Sequence, residues 1–136
     1  KTERYNIKGK DVVAGNCKYY LNDLSFKNFL YPGFAYGVGY LLENAVYLEL
    51  RRLGYIVYTG SFRDKEVDFV AMKDDRVIYL QATYMLETAQ TMEREYAPLL
   101  TIGDNYEKYV VSMDEVQFPS NEGVRHIQAW NLKEIL

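Results

Sequence analysis

Three short stretches carry the residue types with chemical potential: Glu43, then Glu66-Val67-Asp68, then Gln81-Ala82-Thr83. Glu43 falls in a helical pattern. Asp68 and Gln81 fall in two successive strand patterns parted by the turn Lys73-Asp74-Asp75-Arg76. Carboxylates drawn together from a helix and a strand suit a hard divalent cation such as Mg²⁺ or Mn²⁺, which selects oxygen ligands. With a lysine nearby, such a site can orient water and stabilise a charged phosphorane. Glu43 and Asp68 would be the metal ligands of such a site if the fold brings them together. The third stretch is chemically weaker. Gln81 still offers an amide oxygen but brings no negative charge, and Thr83 can neither carry a positive charge nor act as a base near neutral pH.

Other residues have a structural and a functional reading. Arg51 and Arg52 close a helix, where cations complement the dipole, yet with Arg63 and Lys65 they also form a candidate set for phosphate contacts. His126 is the sole histidine and falls in a strand pattern, which favours a structural role over a metal site or a hydrolase triad. The single Cys17 excludes an internal disulfide and a cysteine metal cluster, and is read as a packing residue. Glu93-Arg94-Glu95 is either a solvated face or a cover for a pocket.

The elements that must hold these residues follow from spacing. Arg4 to Lys8, the turn Gly9-Lys10-Asp11 and Val12 to Ala14 read as a hairpin, with Lys18 to Leu21 as a candidate continuation. Asn22-Asp23 offers an N-cap for a short helix from Ser25 to Leu30, which Tyr31-Pro32-Gly33 stops. From Gly37, Val38, Leu41, Leu42, Ala45, Val46, Leu48 and Leu53 recur at helical spacing, and Gly54 supplies a C-cap. On that helix Glu43 shares a stripe with Tyr40, Tyr47 and Leu50, either facing a cleft or sitting in a buried network.

Tyr55 to Thr59 is a strand ended by Gly60, and Glu66 to Met72 and Val77 to Tyr84 are two more. Alternation predicts Glu66, Asp68 and Val70 on one face of the first of these, opposite Val67, Phe69 and Ala71. In the second, Gln81 and Thr83 share a face opposite Ile78, Leu80 and Ala82. The two polar faces beside the helix make a pocket or an exposed sheet face. Glu87 to Tyr96 is predicted helical with Pro98 marking its end, Asp104-Asn105-Tyr106 is a turn, and Lys108 to Met113 and Arg125 to Trp130 are the last strands.

At 136 residues, 49% of them hydrophobic, the chain can hold one domain with a core. A net charge of −3 gives no global basic footprint for nucleic acid, although a local patch is compatible with it. No apolar run approaches the ~20 residues of a membrane span, so a soluble, cytoplasmic protein is expected. The chain opens mid-pattern with Lys-Thr-Glu-Arg and reads as a piece of something longer. Its fourteen tyrosines suit strands and interfaces alike.

Several motifs in order carry a family likeness: Leu41-Leu42-Glu43-Asn44 with Tyr47-Leu48-Glu49-Leu50, Lys65-Glu66-Val67-Asp68-Phe69-Val70, Tyr79-Leu80-Gln81-Ala82, Glu93-Arg94-Glu95, and the run from Asp104 to Asp114. Together they resemble the C-terminal domain of unknown function attached to bacterial and archaeal AAA+ superfamily ATPases, and Lys18 to Asp23 is similar to the segment that enters it. The resemblance implies a PD-(D/E)xK, restriction-endonuclease-like α/β fold: a mixed central sheet flanked by helices, with a small N-terminal hairpin and helix segment. It implies residues 1–35 as a linker or winged-helix remnant and 36–136 as the nuclease-like domain.

On that pattern Glu43 matches the helix glutamate, Asp68 the strand aspartate, Gln81 the second acidic position and Thr83 the lysine. Lys65, Arg63 and Arg94 are the candidates to replace that lysine. The expectation is a noncatalytic domain acting in partner or nucleic-acid recognition for an ATPase module ahead of it. The rivals are a metal-dependent nuclease with a rearranged site and plain DNA binding through Arg51, Arg52, Arg63 and Lys65. Oligomeric state stays open.

Overall fold

A computed structural model describes residues 1–33 and 37–136. Its frame is one seven-stranded mixed sheet in the order β2-β1-β3-β4-β5-β6-β7. The strands are β1 (Thr2–Asn6), β2 (Asp11–Lys18), β3 (Ile56–Phe62), β4 (Lys65–Lys73), β5 (Arg76–Ala82), β6 (Glu107–Ser112) and β7 (Val124–Gln128). The helices are α1 (Ser25–Leu30), α2 (Val38–Arg52) and α3 (Ala89–Leu100), and a 3₁₀ turn over Ala129–Glu134 ends the chain. The protein is thus an α/β protein with helices on both faces of its sheet. The hairpin expected over residues 4–14 forms as β1 and β2, and β1 also pairs in parallel with β3, so both strands extend the central sheet. The expected boundary between residues 35 and 36 lies outside the described residues.

Burial on both faces explains the middle of the sheet. Ile78, Tyr79 and Leu80 of β5 and Tyr109, Val110 and Val111 of β6 are all buried, as parallel strands between helices require. Leu42, Val46, Tyr47 and Leu50 of α2 pack with Phe69, Ala71, Ile78, Leu80 and Val111 on one face. Tyr96 and Leu99 of α3 pack with Val67, Val70, Tyr79 and Val110 on the other. Within α2 the inward stripe differs in part from the expected one, since Ala45 and Val38 are exposed while Asn44 is buried. Gly54, at φ 87°, ends the helix as expected, and Tyr55 N–H reaches back to Leu50 O at 3.0 Å.

Three expectations are corrected. β3 runs through Gly60 to Phe62 rather than ending at Gly60, because the glycine is where β3 packs tightly against its neighbours. A Cβ there would lie 2.9 Å from Val70 Cγ2 and 3.0 Å from both Ile7 Cδ1 and Val67 Cβ. α3 continues past Pro98 to Leu100, since a proline in the last turn removes one hydrogen bond while buried Leu99 anchors that turn. Val70 faces away from Glu66 and Asp68: β4 carries an extra residue between the pairs Tyr58–Val70 and Gly60–Val67. That bulge sends Val67 and Val70 to the α3 face and leaves Phe69 and Ala71 on the α2 face.

Gly60→Ala is expected to destabilise the protein by about 1–3 kcal/mol, through overpacking against Val67, Val70 and Ile7, in urea unfolding. An unchanged midpoint would contradict this close approach of β1, β3 and β4.

Candidate functional site: a carboxylate cluster closed by Lys18

The bulge in β4 places Glu66 and Asp68 beside the N-terminal half of α2, where Glu43 points at the same spot. The centre is occupied by a residue from the edge of the sheet. Lys18, the last residue of β2, brings its Nζ 2.9 Å from Glu43 Oε1, 2.9 Å from Glu66 Oε1 and 3.1 Å from Asp68 Oδ1. The ammonium donates hydrogen bonds to Glu43 Oε1 and Asp68 Oδ1 and stands in ionic contact with Glu66, so three carboxylates crowd one cation. Arg4 holds the other oxygen of Glu66 at 2.9 Å. Asp68 Oδ2 accepts the backbone N–H of Ala82 at 3.0 Å.

The segment after Lys18 is clipped to α2. Tyr20 donates its hydroxyl to Glu43 Oε1 at 2.6 Å, and its ring stacks on Tyr47 with centroids 4.4 Å apart. Asn44 pairs with the backbone of Leu21 in both directions, at 2.8 and 2.9 Å. A cleft of about 690 Å³ adjoins this segment, lined by Tyr19, Leu21, Leu24, Tyr40 and Leu41 together with Lys18 and Glu43.

The electrostatics follow from this crowding. Burial pulls the Lys18 ammonium down, but Asp68, Glu66 and Glu43 outweigh it and hold the pKa well above the ordinary lysine value. Burial and the Glu43 carboxylate push Asp68 up to about 6 against the pull of Lys18. Burial raises Glu66 less than Lys18 and Arg4 lower it, so it stays below the usual carboxylate value. Tyr20, buried and bonded to Glu43, is held far above the ordinary tyrosine value and remains a donor.

The structure joins only part of the set named from sequence. Glu43 and Asp68 meet, as expected. Gln81 touches the cluster only through its Oε1, which accepts the backbone N–H of Asp68 at 3.2 Å. Ile78, Leu80 and Ala82 pack on the α2 face, so alternation turns Gln81 away from Glu43. Thr83 is buried one residue past β5, where its backbone N–H bonds Val111 O. The replacement cations point elsewhere: Lys65 Nζ is 3.5 Å from Ala97 O on the α3 side, Arg94 pairs with Glu95, and Arg63 lies over the Phe62 ring. Lys18 and Tyr20 were missed. They stand two apart in an extended segment and so share a face, which was the available signal.

Those residues do not fit a divalent cation as they stand. Among the described residues no group of three or more histidine, cysteine, aspartate or glutamate side chains is arranged to hold a metal ion. Both oxygens of Glu66 and of Asp68 and one oxygen of Glu43 already meet Lys18, Tyr20, Arg4 or the Ala82 N–H.

Arg51, Arg52, Arg63 and Lys65 are also divided. Arg51 donates to Tyr55 O at 3.1 Å and Arg52 pairs with Glu49 ahead of β3, while Arg63 and Lys65 follow its far end, roughly 20 Å along the strand. Glu93 and Arg94 are exposed and Glu95 is buried on α3, across the sheet from the cluster. His126 is buried: its Nδ1 accepts Phe118 N–H at 3.2 Å and its Nε2 lies 2.8 Å from Ser112 Oγ, which donates to Asp114 at 2.6 Å. Serine sits in the middle of that chain, so it locks β6 to β7 rather than forming a hydrolase triad. Among the described residues no helix is long and apolar enough to cross a membrane.

Compared with known proteins, the chain is 34% identical over 112 residues to an uncharacterized protein of Haemophilus influenzae. The match covers 82% of this chain and 27% of the relative, so the chain spans about a quarter of that protein's length. No family model matches the chain, and no solved structure matches it.

Two outcomes check the cluster. In carbon-detected NMR the Asp68 carboxyl is expected to titrate near pH 6; a midpoint at or below 3.8 would contradict the burial that raises it. The folded state then holds this proton where the unfolded chain has released it, so protonation of Asp68 favours the fold as pH falls from about 6 towards 3.8. Tyr20→Phe, which deletes one hydrogen bond to a charged acceptor, is expected to cost about 1.5–3 kcal/mol in chemical denaturation. No loss would mean that the hydroxyl does not hold Glu43.

Proposed function

We propose that the chain is a PD-(D/E)xK-like, restriction-endonuclease-like domain without cleavage activity of its own, acting in the cytoplasm as a recognition module for an AAA+ ATPase. The observation that carries this reading is the placing of the Lys18 ammonium among Glu43, Glu66 and Asp68, within 3.1 Å of an oxygen of each. An intramolecular ammonium, together with Arg4, offsets part of the negative charge that a divalent cation would otherwise neutralise, and it fills the point between the carboxylates. The neutral Gln81 and Thr83 agree with it. The match to about a quarter of a longer H. influenzae protein supports a module within a larger chain.

One distance supports a second reading. Lys18 Nζ stands 3.1 Å from Asp68 Oδ1, so Lys18 could be the lysine of a rearranged nuclease site, displaced from β5 to β2.

Calorimetry with Mg²⁺ and Mn²⁺, paired with a DNA cleavage assay, separates the two. The recognition reading expects no saturable metal binding and no cleavage by the wild type. Metal-dependent cleavage by the wild type that disappears in Lys18→Met and Asp68→Ala would overturn it in favour of the nuclease.

A further inference from the structure

The fold regroups the cations that the sequence left scattered. β1 and β3 run in parallel with Asn6 opposite Ser61, and Ile7 N–H donates to Ser61 O at 3.0 Å. The turn after β1 and the turn after β3 therefore leave the sheet side by side. They bear Lys8, Lys10 and Arg63, all exposed, with half-buried Lys65 next to them. Among the described residues none of these four belongs to an ion pair, whereas Arg4, Lys18, Arg52, Arg76, Arg94, Lys108 and Arg125 all do. Asp11 and Asp64 are the acids on the same turns. This end of the sheet is thus locally positive in a chain of net charge −3.

Aromatic rings adjoin the cations. Lys10 Nζ lies 5.7 Å from the centre of the Tyr106 ring, and the Arg63 guanidinium 5.4 Å from that of Phe62. Tyr5 and Tyr58, with ring centroids 5.6 Å apart, continue the aromatic surface across β1 and β3. Tyr106 is exposed, while Phe62, Tyr58 and Tyr5 are half-buried at the margin of the core under α3. Cations outside any ion pair, beside partly exposed rings, match the chemistry of an unpaired nucleotide strand, whose phosphates meet the charges while its bases stack. A duplex would gain the charge alone, since its base faces are hidden.

We propose that this surface binds a short stretch of single-stranded nucleic acid, with phosphates at Lys8, Lys10 and Arg63 and bases on Tyr106 and Phe62. It stands apart from the carboxylate cluster on the α2 face, so a metal-binding result there leaves it untouched.

The test is fluorescence anisotropy of a labelled oligothymidylate and of a matched duplex with the full chain, over a series of salt concentrations. Lys10 and Arg63 both have left-handed backbone, at φ 56° and 57°, which asparagine adopts readily, so Lys10→Asn with Arg63→Asn removes charge without straining the turns. An unchanged thermal transition verifies this. The double variant is expected to bind at least about tenfold more weakly, with a salt slope shallower by about 1.4 if two phosphate contacts are lost. Tyr106→Ala is expected to weaken single-strand binding about tenfold and to leave duplex binding alone. Arg51→Gln with Arg52→Gln, at the other end of β3, is expected to change nothing. Absence of single-strand binding by the wild type at low salt, indifference to the three substitutions, or equal affinity for the duplex would each overturn the proposal.

Discussion

Three carboxylates confined to one half-buried spot repel one another and lose hydration, and they share that space only if a cation is held among them. Lys18 is that cation. Its stem belongs to the edge strand, its ammonium to α2 and β4, so one side chain ties the sheet margin to the helix that covers the core. Removing it would leave Glu43 and Asp68 without a cation, Glu66 alone keeping Arg4. Tyr20 and Asn44 extend the same constraint: once Lys18 is in place, the chain that follows must lie along α2, where Glu43 and Asn44 satisfy its polar groups.

The cluster in turn depends on a defect in the sheet. In a regular strand Asp68 and Val70 would share a face, and either a charge would enter the core or a valine would leave it. The extra residue in β4 resolves the conflict, because Asp68 stays with Glu43 while Val70 joins the core under α3. Gly60 opposite the bulge leaves room for that rearrangement. Packing on one face and charge on the other are therefore set by the same few residues of β3 and β4.

Local patterns were legible in the sequence where local forces decide the outcome. α2 could be read because its apolar spacing and Gly54 both act within a few residues, and β5 and β6 because their apolar runs are continuous. Glu43 and Asp68 could be paired through the family resemblance, whereas local spacing alone left each with a structural alternative. Lys18 could not, since nothing near it in sequence explains its place: its partners lie on elements that only the folded sheet brings within reach. The bulge was hidden for the same reason, as it is defined by pairing with β3 and not by composition. Arg63 and Lys65 were picked out by charge, but their grouping with Lys8 and Lys10 arises from the parallel pairing of β1 with β3, a long-range contact that spacing does not reveal.

Nitrogen-detected NMR of the Lys18 side chain addresses the closed cluster most directly, because the ammonium itself is the probe. A signal that persists through slow proton exchange, couples to the carboxyl carbons of Glu43 and Asp68, and titrates above the ordinary lysine value of 10.5 is the expected result. A freely exchanging ammonium that titrates at or below that value, with no coupling to either carboxylate, would mean that the cluster is open and that Lys18 does not close it.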